Sequence, residues 1–137
     1  MRDPRLEAAY RATEYHVRLP QRLVLRIDQP EARLFPLLAQ TPLHCAAYLT
    51  ACNPASQRLS ESENAERMHA LASQLKQKGY DFLHGMARDP HGEWPDEASF
   101  LVLGIPPTDA CELAQDYAQN ALLLIAADAC PRLHWLI

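Results

Sequence analysis

Apolar residues recur along the chain in two rhythms, and the changes of rhythm mark out the elements. Asp3-Pro4 is a cap and first-turn pair, and Leu6, Ala9, Tyr10 and Thr13 follow at helical spacing, which predicts a short helix ending near Glu14. Tyr15, Val17 and Leu19 then alternate with His16 and Arg18, and Leu23, Leu25 and Ile27 alternate with Val24 and Arg26. This is the period-two pattern of half-buried strands, here joined through Pro20-Gln21. Residues 30 to 39 place Leu34, Leu37 and Leu38 on one face, and Pro36 limits them to a short or kinked helix.

His44 to Ala51 reads as a buried strand that stops at Asn53-Pro54-Ala55-Ser56. The strongest helix signal follows over residues 61 to 78. Ser60 and Glu63 spell a capping box, Ala65, Met68, Leu71, Ala72 and Leu75 form an apolar stripe, and Gly79 stands at the expected stop. Tyr80 to Ala87 and Ser99 to Ile105 read as strands separated by a long polar loop. Thr108 is placed to cap a helix running to about Gln119, Ala121 to Ala127 is an apolar strand, and Arg132 to Ile137 returns as a last strand through Asp128-Ala129-Cys130-Pro131.

From residue 44 to 127 the order is strand, helix, strand, strand, helix, strand, which predicts an α/β (α+β) single domain over 1–137. Its core is a ferredoxin-like βαββαβ unit, to which the N-terminal helix and β-hairpin are added. In that topology a crossover helix joins strands of like direction and a hairpin reverses direction. Three polar segments distant in sequence should therefore meet at one sheet edge: Asn53 to Asn64, Arg88 to Glu97, and Gln119-Asn120.

Composition narrows the function without choosing one. The chain has 137 residues, 48% hydrophobic and 22% charged, with net charge −4, and no apolar run is long enough to span a bilayer. Seven Arg against five acids over residues 1 to 34 give a local +2, with the rest at −6, so the expectation is no nucleic-acid partner and no membrane. With no secretory signal visible the expected location is cytoplasmic. Cys45, Cys52, Cys111 and Cys130 lie at no zinc-site spacing and are read as packing residues in a reducing compartment, with Cys52, at a strand end, as an exposed-thiol alternative. The six histidines are scattered and set up no metal site, and the sequence leaves any cofactor unknown.

The chemistry gathers in the polar segments. Arg88 offers a fork for a carboxylate or phosphate, and the helix N-terminus near Ser60 and Glu63 offers amides to the same anion. Asn53, Ser56, Asn64 and Asn120 supply orienting groups, Trp94 a stacking face, and Asp89 or Glu97 a general base or a metal-bound acid. Each also has a structural explanation: Asn53-Pro54 as a turn, Asn120 as a left-handed helix stop, the run Arg88 to Glu97 as a solvated acidic loop. The leading expectation is a pocket that binds, or turns over, a small anionic polar molecule at the convergent edge. The alternative is a non-catalytic interaction module, taking a protein partner or a second copy of the chain through the 88–97 loop with Trp94 and through the C-terminal residues Leu133-His134-Trp135-Leu136-Ile137.

Four stretches carry a resemblance. They are Thr50-Ala51-Cys52-Asn53-Pro54-Ala55-Ser56, Glu63-Asn64 with Arg67, Gly85 through Arg88-Asp89-Pro90-His91-Gly92-Glu93-Trp94-Pro95-Asp96-Glu97-Ala98-Ser99, and Gln119-Asn120-Ala121. In these the chain resembles the bacterial domain-of-unknown-function 3293 family over nearly its whole length. It departs from that pattern with Cys52 where an aromatic is common, Ala87 where glycine is common, and Tyr117-Ala118 where Phe-Gly precedes the Gln-Asn pair. The resemblance implies a compact domain and no particular reaction.

Overall fold

A computed structural model describes residues 3–137. The chain forms helix α1 (Pro4–Ala12), strands β1 (Glu14–Val17) and β2 (Leu23–Leu25), a 3-10 turn over Ala32–Leu34 continuing into the short helix α2 (Phe35–Leu38), and strand β3 (Ala46–Leu49). After a 3-10 turn at Pro54–Ser56 come α3 (Glu61–Gln77), β4 (Phe82–Arg88), β5 (Glu97–Leu103), α4 (Pro107–Asp116), β6 (Ala121–Ile125) and β7 (Pro131–Trp135). This is a mixed α/β chain built on one sheet.

Several boundaries move for identifiable reasons. The strand expected from His44 starts at Ala46, because His44 takes φ 52 and leaves the extended path. That strand also ends early, since Thr50 turns its hydroxyl to donate to Ala98 O at 2.6 Å and accepts the Cys52 amide. Thr108 does not cap α4; Pro106 is the cap residue and Pro107 opens the first turn. α3 is bounded as expected: Ser60 Oγ accepts from the Glu63 amide at 3.1 Å, Glu63 Oε1 accepts from the Ser60 amide, and at the far end Gly79 takes φ 82.

The sheet has seven strands in the order β2-β1-β4-β5-β3-β6-β7, every pair antiparallel. The N-terminal hairpin expected as an addition to the core joins the β4 edge through β1, and the last strand, β7, returns onto β6 as expected, so that one sheet holds all seven strands. The sheet curls until its ends meet, with the Asp28 amide donating to Pro131 O at 2.7 Å and the Glu31 amide to Ala129 O at 3.0 Å. Those bonds occupy backbone groups that an open edge would offer to other strands.

Alternation along the strands divides the core in two. The concave face collects Tyr15, Val17, Leu23, Leu25, Tyr48, Leu101, Leu123 and Ile125 under Leu34 and Leu38. The convex face packs Ala47, Leu49, Phe100, Val102 and Leu122 against Met68, Leu71 and Leu75 of α3 and Ala110, Leu113 and Ala114 of α4. Leu71 and Leu75 are fully buried, each contributing about 2 kcal/mol of transfer free energy. On the concave side Gly85 is required: a Cβ there would lie 2.8 Å from Tyr48 Oη, whose hydroxyl donates to His16 O.

Candidate functional site

A cleft of about 210 Å³ opens at the end of the concave face. One wall is α1, through Leu6, Ala9, Tyr10 and, just beyond it, Thr13. The opposite side is the turn after β3, with Asn53, Ser56 and Arg58. The β4–β5 connection supplies Asp89, Glu93, Trp94 and Pro95, and Tyr15, Ala87, Glu97 and Gln119 complete the lining. A smaller recess of about 40 Å³ shares Tyr10, Tyr15, Ala87, Glu97 and Gln119 with the cleft and reaches Tyr48 and Ser99 deeper in the sheet. Residues from all three convergent segments line this one space.

Glu97 is the chemical centre. Strand β5 begins at Glu97, two residues before the expected Ser99, and Glu97 pairs with Ala87 on β4. Alternation with Ser99, Leu101 and Leu103 then places its side chain on the concave face. Its Oε2 accepts a 2.7 Å hydrogen bond from Asn53 Nδ2. Burial pushes the Glu97 carboxyl above the ordinary carboxylate range, and the Asn53 amide only partly opposes that.

Asn53 is the organiser. It sits at φ 48, where Asn is among the few tolerated side chains. Its amide donates to Asn64 Oδ1 at 2.9 Å, and its own Oδ1 accepts from Asn64 Nδ2 and from the Leu59 amide, each at 2.9 Å. Ala55 at φ 53 and Ser56 at φ 60 continue the left-handed path. This strained turn is tied to the segment after α4: the Ala55 amide donates to Ala118 O at 2.7 Å, and Asn120 Nδ2 to Ser56 Oγ at 2.8 Å. Gln119 Nε2 donates to Cys52 O at 2.9 Å, while Arg67 reaches from α3 to donate to Ala51 O and Tyr117 O, each at 2.6 Å. Non-glycine residues held at positive φ concentrate at functional sites, because the surrounding contacts must offset their cost.

The aromatic floor is uncharged. Tyr15 and Tyr48 meet edge to face at 5.3 Å between centroids, and burial raises both phenols well above their ordinary value. Tyr10 is pushed up to about 12 by burial and by the negative charge of Glu97.

The expected site residues divide accordingly. Asn53, Ser56, Asp89, Trp94 and Glu97 line the cleft; Asn64 and Asn120 brace it from behind. Arg88 stands outside the lining, because strand alternation turns it to the opposite face from Ala87, and there it pairs with Asp96 at 3.4 Å. The Asp89 carboxylate accepts from the amides of His91, Glu93 and Trp94 at 2.9 to 3.1 Å, which lowers its pKa, folds the connection and makes it a weaker base than Glu97. At the α3 N-terminus the Glu63 carboxylate accepts from the Ser60 amide and sets a negative charge beside the first turn, and neither Ser60 nor Glu63 is among the residues lining the cleft. Left-handed geometry falls on Ala118 at φ 55, not on Asn120. Cys52 is buried with its thiol pushed up, against the exposed alternative, and all four cysteines are free. No group of three or more His, Cys, Asp or Glu is disposed to hold a metal among the described residues.

Tyr10, Thr13 and Tyr15 are cleft-lining positions that the sequence did not single out, whereas Gln119 belongs to a segment expected at the convergent edge. The polar Thr13 beside Tyr10 on an otherwise apolar helix face, and Tyr15 opening the next strand, were the available signals.

Among the described residues no helix is long and apolar enough to cross a membrane. No curated protein and no solved structure matches the chain. One family does, over residues 49–122, a span that holds the Asn53 turn, the β4–β5 connection, Glu97 and Gln119-Asn120 and leaves the α1 wall outside. That match covers more than half of the sequence, and the chain belongs to the family described as protein of unknown function (DUF3293).

Proposed function

We propose that the protein binds a small polar molecule in the cleft at the mouth of the curled sheet, with Glu97 exchanging a hydrogen bond or a proton with it. The observation that carries this reading is a carboxyl group held at the cavity by one amide, Asn53 Nδ2, with its Oε1 bonded to no other group of the described residues. Burying a carboxyl without a cationic partner costs desolvation that a single amide only partly offsets, and carboxyls perturbed in this way cluster at functional sites. Barrel-like mouths lined by apolar walls and a few fixed polar groups are common ligand sites.

The anion once expected from sequence loses its support. Arg88 is committed to Asp96 on the other face, and Asp89, Glu93 and Glu97 outnumber Arg58 in the lining. The same reading takes β4-β5-β3-β6 with its two helical crossovers as a ferredoxin-like core. It assigns the protein to a reducing bacterial cytoplasm, to which the four free thiols are suited.

A thermal-shift screen across amines, nucleosides, sugar phosphates and carboxylates tests the cleft. A ligand at a hundred times its dissociation constant adds about 2.7 kcal/mol to stability. The expected result is a hit whose shift disappears in Glu97→Gln and Trp94→Ala; hits indifferent to both variants would sink the reading. An interaction surface centred on Trp94 is the second reading, favoured by its 46% exposure. It draws less from Trp135, whose ring packs edge to face on Tyr10 at 5.4 Å.

A further inference from the structure

Donors and acceptors in the cleft are unequally committed. Tyr15 Oη donates to Tyr10 O at 2.7 Å and Tyr48 Oη to His16 O at 2.8 Å, so both hydroxyl protons are spent on backbone. Asn53 Nδ2 gives one N–H to Glu97, and Gln119 Nε2 gives both of its own to Cys52 O and Tyr117 O. Those same bonds fix the outward atoms. Glu97 Oε1 and Gln119 Oε1 accept from no group among the described residues, and neither is sealed from solvent, since the buried side-chain atoms without a partner are His16 Nδ1 and Thr41 Oγ1. Both residues line the cleft and the recess behind it.

Aromatic rings share this lining. Tyr10 and Tyr15 line both spaces, and Trp94, anchored by its amide to the Asp89 carboxylate at 3.1 Å, lines the cleft but not the recess. Aromatic faces attract cations, and a cation with N–H groups also satisfies fixed acceptors. A carboxylate or phosphate would meet Glu97 and Glu93 with Arg58 alone to balance them.

We propose, building on the cleft reading above, that the ligand is an organic cation bearing N–H donors, an ammonium or amidinium on a flat or apolar body, whose charged end sits between Glu97 Oε1 and Gln119 Oε1 and whose body lies against Tyr10 and Trp94. Binding then supplies the cation that Glu97 lacks, and where Glu97 is still protonated in the free protein it also displaces the carboxyl proton. Affinity rises with pH until Glu97 is ionised in the free protein, because below that point the incoming cation must displace a proton.

Benzamidine, benzamide and benzoate share one shape and differ in charge, and they make the test. Each is titrated into the 15N-labelled protein, following the Trp94 indole and Gln119 side-chain amide resonances. The expected result is saturable shifts with benzamidine, at least about tenfold weaker response to benzamide and to benzoate, and an affinity falling about tenfold per pH unit below the Glu97 pKa. Glu97→Gln, which retains the Asn53 contact and whose fold is checked by its own amide spectrum, should lose the preference for benzamidine and its pH dependence. Benzoate or benzamide binding at these resonances as tightly as benzamidine would overturn the cationic class and leave the cleft reading standing. No perturbation of either resonance by all three probes would overturn both.

Discussion

Asn53 Nδ2 and Glu97 Oε2 meet at 2.7 Å across 44 residues of sequence, joining the turn after β3 to the first residue of β5. The contact gives the carboxyl its orientation and leaves its second oxygen to the cavity. Asn53→Ala would remove three side-chain hydrogen bonds and put an alanine at φ 48. The expected loss is about 3 kcal/mol in urea denaturation. Because the amide lowers the Glu97 pKa, its removal should also move that pKa further up, visible in a carboxyl 13C titration.

Glu97 should make the protein less stable as pH rises. Its folded pKa lies above the unfolded value, so the folded chain holds the proton more tightly, and stability falls from the ordinary carboxylate value up to the folded one. Asp89 and Asp128, lowered by their hydrogen bonds, act in the opposite sense, and their stabilisation disappears as pH falls through their folded values. Those two groups cancel when wild type is compared with Glu97→Gln. The variant should melt higher at neutral pH and match wild type below about pH 4, measured as the difference in Tm across the range. An equal difference at every pH would show that titration of Glu97 is not its source.

Ala118 is expected to gain from losing its methyl group. It lies at φ 55, a conformation that costs an L-residue roughly 1–2 kcal/mol and glycine almost nothing. Less the larger entropy of an unfolded glycine, Ala118→Gly should stabilise by roughly 0.5–1 kcal/mol, seen in the urea midpoint. Asn120, at the position where a left-handed stop was expected, should gain nothing from the same change.

Gly85→Ala should do the reverse. The new Cβ would meet the His16 carbonyl, a backbone group that cannot step aside, and Tyr48 Oη. A loss of about 2 kcal/mol or more is expected in the same assay, with Tyr48 fluorescence or ring resonances reporting the displaced hydroxyl.

The helix α3 was legible because its cap, stripe and stop agree, and each of those signals is local. Convergence of the Asn53, Asp89 and Gln119 segments was legible because antiparallel connectivity leaves few alternatives. Hidden from the sequence was which side of β4 each loop residue faces: one step of register separates Ala87, in the cleft, from Arg88, outside it. The role of Asp89 was hidden for a related reason, since a carboxylate accepting three amides of its own loop has the same letter as one that awaits a substrate. The α1 wall was invisible because its position depends on the curl of the whole sheet.

That wall has an energetic signature of its own. α1 contains no fully buried residue, yet it supplies Leu6, Ala9 and Tyr10 to the cleft. Nine residues are too few to hold a helix in water without tertiary support. Part of any binding free energy at this site is therefore a local folding equilibrium: a ligand touching Tyr10 ties helix and sheet together, and its affinity carries the cost of keeping residues 4–12 wound.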